Sequence, residues 1–171
     1  QSDLAYTAPL AQAAKLGNTS DIVATQLGEG DGSDSYSVFL SAPSNRAVTV
    51  SKFVFSGAAT KDADYTFSSS VTIPASSGVI TSANPGRTDG AFTYGALQDA
   101  IFEADQVFTA ALDSRYVTNV GGISKPSKFE VTILDDESPS VTFTTWDKTV
   151  AESVGSFSIT LTLSKTSELP V

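Results

Sequence analysis

The feature that most constrains this chain is a period-two alternation of apolar and small polar residues. Ser35-Tyr36-Ser37-Val38-Phe39-Leu40 follows it, and so does Ala47-Val48-Thr49-Val50-Ser51-Lys52-Phe53-Val54-Phe55. Successive side chains of a strand point to opposite faces, so this pattern buries one face and wets the other. Ala42-Pro43-Ser44-Asn45 between the two runs is a turn signal. Further strands are expected at Ser70 to Ile73, Gly78 to Thr81, Ala91 to Gly95, Asp105 to Asp113 and Lys128 to Leu134. Turns are expected at Asn84-Pro85-Gly86, Asp89-Gly90 and Gly121-Gly122. Many short strands separated by turns point to an all-β antiparallel sandwich. Ser and Thr supply 45 of the 171 residues, and Lys and Glu, common on helix surfaces, are scarce. Ala8 to Leu16 is the one helix-like stretch, short and without a strong cap.

Three zeros narrow the chemistry. The chain has no Cys, no His and no Met. Without cysteine there is no disulfide framework and no thiolate metal site. Without histidine neither a Ser-His-Asp relay nor a histidine-ligated zinc centre can be built. Net charge is −9, with 19 Asp and Glu against 10 Lys and Arg. That balance argues against nucleic acid and anionic membrane, both of which demand basic patches. No stretch reaches the ~18 apolar residues of a membrane span, so direct insertion is not expected. Carboxylate, hydroxyl and carbonyl oxygens remain, the ligands of hard cations. A glycosidase needs only two carboxylates, but nothing marks such a pair here, and an enzyme is not expected. Asn18-Thr19-Ser20 is a glycosylation sequon, read as a chance match in a Ser/Thr-rich chain.

An internal repeat sets the domain organisation. With Glu29 laid on Glu152 and no gaps, eight of the twenty positions to Val48 and Val171 are identical, at an offset of 123 residues. The identities include Leu40 with Leu163, Ser41 with Ser164 and Ser44 with Ser167, and the alternation stays in phase. Asp135-Asp136-Glu137-Ser138-Pro139 runs an acidic triplet into a proline before a new β pattern at Val141, and reads as a boundary. Residues 1–20 are then an extension or linker, 21–137 a full domain, and 138–171 an incomplete second repeat with strands at Val141–Thr145 and Phe157–Leu163. Two strands alone expose an edge and are marginal in water, so they are expected to pack against the first domain, or against another copy of the chain by strand addition. Trp146, alternating with Val141 and Phe143, is expected to pack in a core or interdomain contact.

Four segments, in this order and spacing, resemble the Calx-β family of exchanger regulatory domains and surface adhesins. They are Glu29-Gly30-Asp31-Gly32-Ser33, Asp62-Ala63-Asp64-Tyr65-Thr66, the run Gln98 to Phe108, and Val131-Thr132-Ile133-Leu134-Asp135-Asp136-Glu137. The resemblance implies an immunoglobulin-like sandwich of about seven strands, followed by the first strands of another. It also implies calcium bound between loops at one end, with Glu29, Asp64, Asp99, Glu103, Asp135, Asp136 and Glu137 as candidate ligands. Calcium takes 6–8 oxygens at about 2.3–2.6 Å, often from carboxylates, and crowded carboxylates repel until a cation joins them.

The chain departs from the family's richest sites, with Gln98-Asp99-Ala100 and Gln106 where those carry more acids. One or two ions are therefore expected, with affinity near the weak, ~10⁻⁴–10⁻³ M end of the range. Ser68 to Ser77 looks like an insertion relative to the family. Each acid also has a plainer reading. The triplet could be a solvated linker, Asp99 and Glu103 loop acids at a strand edge, and Asp64 the cap of its own turn. Asp31 and Asp34 read as turn and edge residues, Asp89 and Asp113 as turn residues.

Together these imply a calcium-binding structural or adhesive repeat of a large secreted or cell-surface protein. Its partners would be neighbouring repeats, with calcium stiffening the junction. The alternative is a calcium-responsive module recognising a carbohydrate or protein beside another functional domain.

Overall fold

The computed structural model describes residues 3–6, 21–41, 43–76, 88–144 and 147–171. In chain order the strands are β1 (Asp3–Tyr6), β2 (Ile22–Gly28), β3 (Ser33–Leu40), β4 (Val48–Val50), β5 (Val54–Gly57), β6 (Tyr65–Phe67), β7 (Val71–Ile73) and β8 (Asp89–Ala96). They continue with β9 (Ile101–Phe102), β10 (Gln106–Ala111), β11 (Gly122–Ile123), β12 (Lys128–Leu134), β13 (Val141–Phe143), β14 (Leu161–Leu163) and β15 (Thr166–Ser167). The protein is all-β, as the alternation requires. The chain divides into two compact units. The first holds the described residues up to Gln98 together with Asp105–Leu134; the second holds Asp99–Ala104 and Asp135–Val171.

In the first unit one sheet has the order β11-β1-β3-β8-β6 and another the order β2-β12-β10-β5. A short pair, β4-β7, adds to them. Along β12 every second residue is inward: Phe129, Val131 and Ile133 are fully buried while Lys128, Glu130 and Thr132 are half-buried. The same period places Phe92 and Tyr94 of β8, and Val38 and Leu40 of β3, in one apolar core with them. Aromatic rings join the two sheets. Tyr65 stacks on Phe108 at 3.7 Å between centroids, and Phe92 meets Phe129 edge-on at 5.3 Å.

Three features depart from the sequence expectations. The run Ala47 to Phe55 is two strands, not one, because it changes partner: β4 pairs with β7 and β5 with β10. Phe53 plugs the core at the crossing, with Ser51 N donating to Tyr116 O at 2.8 Å. Asp89-Gly90 is the start of β8 rather than a turn, carried straight by pairing of Phe39 with Asp89 and Val38 with Gly90. Pairing is also not purely antiparallel, since β2 runs parallel to β12 over its whole length. These are the first and last strands of their sheet by sequence, and a connection that long permits the parallel arrangement. The stretches Ala8 to Leu16, Gly78 to Thr81 and Asn84 to Gly86, the sequon at Asn18 and the side chain of Trp146 lie outside the described residues.

The second unit contains two small sheets, β13-β14 and β15-β9. β14 occupies the repeat position of β3, 123 residues on. Leu163 pairs with Val141 as Leu40 pairs with Leu4, and Leu161 with Phe143 as Val38 pairs with Tyr6. Of the expected strand Phe157–Leu163, only Leu161–Leu163 form β14, with Thr160 O accepting one further bond from Thr144 N at 3.1 Å. In the first unit the preceding residues of β3 are held by β8, and among the described residues the second unit has no counterpart of β8. Its apolar residues stand exposed for the same reason: Leu161 is 57% accessible where Val38 is 0%.

Candidate metal centre

The seven candidate ligands divide between the units. Asp99, Glu103, Asp135, Asp136 and Glu137 all lie in the second, from two segments far apart in sequence; Glu29 and Asp64 lie in the first.

In the second unit the segment Asp99–Ala104 is tied to the acidic triplet through the Glu103 amide. Asp135 Oδ1 accepts from Glu103 N at 3.0 Å. Asp99 Oδ1 accepts from Ile101 N at 2.7 Å, an Asx turn that leads into β9. β15 lies parallel to β9, pairing Thr166 with Ile101 and Ser167 with Phe102, and Glu168 N donates to Phe102 O at 2.9 Å. The result is a carboxylate pair: Asp99 and Glu137 present oxygens within 4.8 Å of each other. Asp99 is exposed and Glu137 is 4% accessible. Lys165 Nζ approaches Glu137 Oε1 to 3.2 Å. Glu103 and Asp135 are half-buried and Asp136 is exposed.

The donors fit a hard cation. An ion 2.3–2.6 Å from two oxygens holds them about 4.6–5.2 Å apart at most, and the Asp99 and Glu137 oxygens, within 4.8 Å of each other, meet that limit. All side-chain donors here are carboxylates, which favour calcium over softer metals. Asp99 is the exposed member of the pair and Glu137 the buried one.

The two acids of the first unit have local surroundings. Glu29 follows β2, and its amide donates to Leu134 O at 3.0 Å, extending the β2–β12 ladder by one step. It is 7% accessible. Asp64 sits in the turn before β6, where its Oδ2 accepts from Thr60 N at 2.6 Å and its amide donates to Thr60 O at 2.9 Å. That is the turn-capping geometry also read from its sequence context. Asp31 closes the turn beside Glu29 by accepting from Gly28 N at 2.9 Å. Asp34 accepts from Tyr94 Oη at 3.1 Å across β3 and β8. Asp113 caps a single 3-10 turn, Ser114–Tyr116. Its hydrogen bonds from Arg115 hold its carboxyl down at about 2.

Lys165 is the residue that the sequence did not single out. Its counterpart in the repeat is Ala42, so a cation at this position is particular to the second copy. That mismatch was the only available signal.

The chain is an all-β sandwich followed by a unit that carries five of the seven candidate acids. No protein-family model and no curated protein matches the sequence. Solved structures do. The chain resembles the calcium binding domain CBD12 of CALX1.1 at 20% identity, over 66% of this chain and 42% of that one, with a TM-score of 0.53. It resembles CBD12 from CALX1.2 at 22% identity, over 81% and 52%, with a TM-score of 0.53. The apo-form Calx CBD1 domain matches at 20% identity, over 67% and 91%, with a TM-score of 0.51. This chain thus spans about half the length of the two CBD12 structures. The likeness establishes the fold, the Calx-β immunoglobulin-like sandwich.

Proposed function

We propose that this protein is a calcium-binding β-sandwich module of an architectural kind rather than a catalyst. The observation that carries the reading is the Asp99–Glu137 pair, oxygens within 4.8 Å in the second unit, with Glu137 buried. Asp135 and Asp136 directly precede Glu137, and Glu103 lies four residues after Asp99, so further carboxylates are close by in sequence. One or two ions of weak affinity match so small a set of acids, about 10⁻⁴–10⁻³ M. By bridging Asp99–Ala104 to the start of the second repeat, the ion removes freedom from the junction.

The sequence repeat supports a role within a tandem array: β14 occupies the repeat position of β3, and each pairs antiparallel with a strand that precedes it. Neighbouring repeats are then the natural partners, and an adhesin-like protein at or outside the cell surface is the setting. The test of calcium binding is titration of the purified chain followed by calorimetry. Saturable heat at millimolar calcium, abolished by Asp99→Asn together with Glu137→Gln, supports the reading. Identical flat traces for wild type and the double variant sink it.

A further inference from the structure

The ion pair between Lys165 and Glu137 is built more deliberately than a surface salt bridge. Glu137 presents a side chain only 2% accessible, and a buried carboxylate is costly unless a positive group compensates it. The lysine is delivered by a backbone anchored on both sides. Before it, Ser164 N donates to Ser140 O at 2.9 Å and Ser164 Oγ accepts from Ser140 N at 2.8 Å. After it, Thr166 and Ser167 pair with β9, and Glu168 N donates to Phe102 O. Ser140 is three residues from Glu137, and Phe102 three from Asp99. The loop Ser164–Glu168 is therefore fastened to both segments that carry the carboxylate pair, and its one cation points to the buried member.

We infer that Lys165 is an internal counter-ion for the calcium site, and that calcium and the Lys165 ammonium compete for Glu137. The inference rests on the calcium reading above. An ammonium 3.2 Å from Glu137 Oε1 and a divalent ion on the same carboxylate would stand within a few ångströms of each other, where like charges repel strongly in a partly buried setting. Calcium loading must drive Lys165 off. The ion-free module keeps its junction clasped by the lysine, and the loaded module exchanges that pin for the metal. By linkage, whatever holds the ammonium at Glu137 weakens calcium by the same factor. The weak affinity expected here would then be set partly by the following repeat, through the loop that positions Lys165.

The experiment is calcium calorimetry on the full chain as wild type, Lys165→Gln and Lys148→Gln. Lys148 is an exposed lysine of the same unit whose Nζ donates to Ser158 O at 2.9 Å. Its removal changes net charge equally without touching Glu137. Lys165→Met repeats the test with a different side chain, and near-ultraviolet circular dichroism checks that each variant is folded. The expected result is calcium binding about tenfold tighter in both Lys165 variants, with Lys148→Gln unchanged. Tightening of threefold or more over both wild type and Lys148→Gln supports the competition. Any smaller difference, with calcium still bound, overturns it and leaves the calcium reading standing. Saturable binding in none of the proteins overturns both.

Discussion

Gly57 ends β5 with φ +128°, opposite Phe108 of β10. A Cβ added there would overlap Val107 O and meet Phe108 Cα at 2.8 Å and Val107 C at 3.0 Å. All three are backbone atoms and cannot swing aside. Val107 O also accepts from Ala58 N at 2.9 Å and Ala59 N at 3.2 Å, so relieving the overlap strains both bonds. The backbone conformation alone costs a non-glycine residue about 1–3 kcal/mol, and each weakened hydrogen bond about 1 kcal/mol. Gly57→Ala should therefore destabilise the first unit by about 3–5 kcal/mol, a large part of the ~5–15 kcal/mol typical of a domain. At about 3–6 °C per kcal/mol for a domain of this size, its melting transition falls by about 10–30 °C. Gly32→Ala is the control. Gly32 has φ +82° but nothing within 4 Å of an added Cβ, so it carries strain without overlap and should cost about 1–2 kcal/mol. Thermal melts followed by circular dichroism compare the two. If Gly57→Ala melts no lower than Gly32→Ala, the close approach of β5 to β10 is wrong.

Other consequences are as direct. Phe129→Ala removes a fully buried ring that touches Tyr36, Phe92 and Tyr94; urea unfolding should show a loss of about 3–5 kcal/mol. Burial pushes Tyr36, Tyr65 and Tyr94 up to about 12 from an ordinary value of 10, with nearby Asp62 and Asp64 adding to Tyr65 and Asp34 to Tyr94. The folded state keeps these protons while the unfolded chain sheds them, so stability is flat below pH 10 and falls as pH rises from 10 to 12. Denaturant midpoints at pH 9, 10 and 11 check this; a midpoint that rises over that span would refute it. Asp135→Ala removes the acceptor of the Glu103 amide, and should cost about 1 kcal/mol and speed hydrogen exchange at Glu103 without moving the melt of the first unit.

The strands were legible where side-chain period and pairing agree. β12 runs from Lys128 to Leu134, the bounds read from its alternation, because both its faces meet one sheet environment throughout. β4 and β5 were not separable, since alternation says which face is inward but not which strand lies alongside. The parallel β2–β12 pairing was likewise invisible, being a contact across the whole domain. At the candidate site, residue type marked the acids, and the fold places five of them in one unit and two in another. What could not be read is the divided use of those acids. Asp64 closes the turn that its own sequence suggested, but Asp135 holds the amide of Glu103, 32 residues away, and Glu137 is buried beside a lysine 28 residues away. Such assignments depend on tertiary neighbours that no local pattern encodes.

The measurement that bears most directly on the calcium account is a thermal melt of the whole chain in chelator and in 10 mM calcium, read against calorimetric stoichiometry. For an affinity of about 10⁻⁴–10⁻³ M, that calcium concentration stabilises the binding-competent state by about 1.4–2.7 kcal/mol. The account predicts a transition raised by several degrees, one or two ions bound, and both effects lost in the protein carrying Asp99→Asn and Glu137→Gln. Superimposable melts with no saturable binding at 10 mM calcium would contradict it.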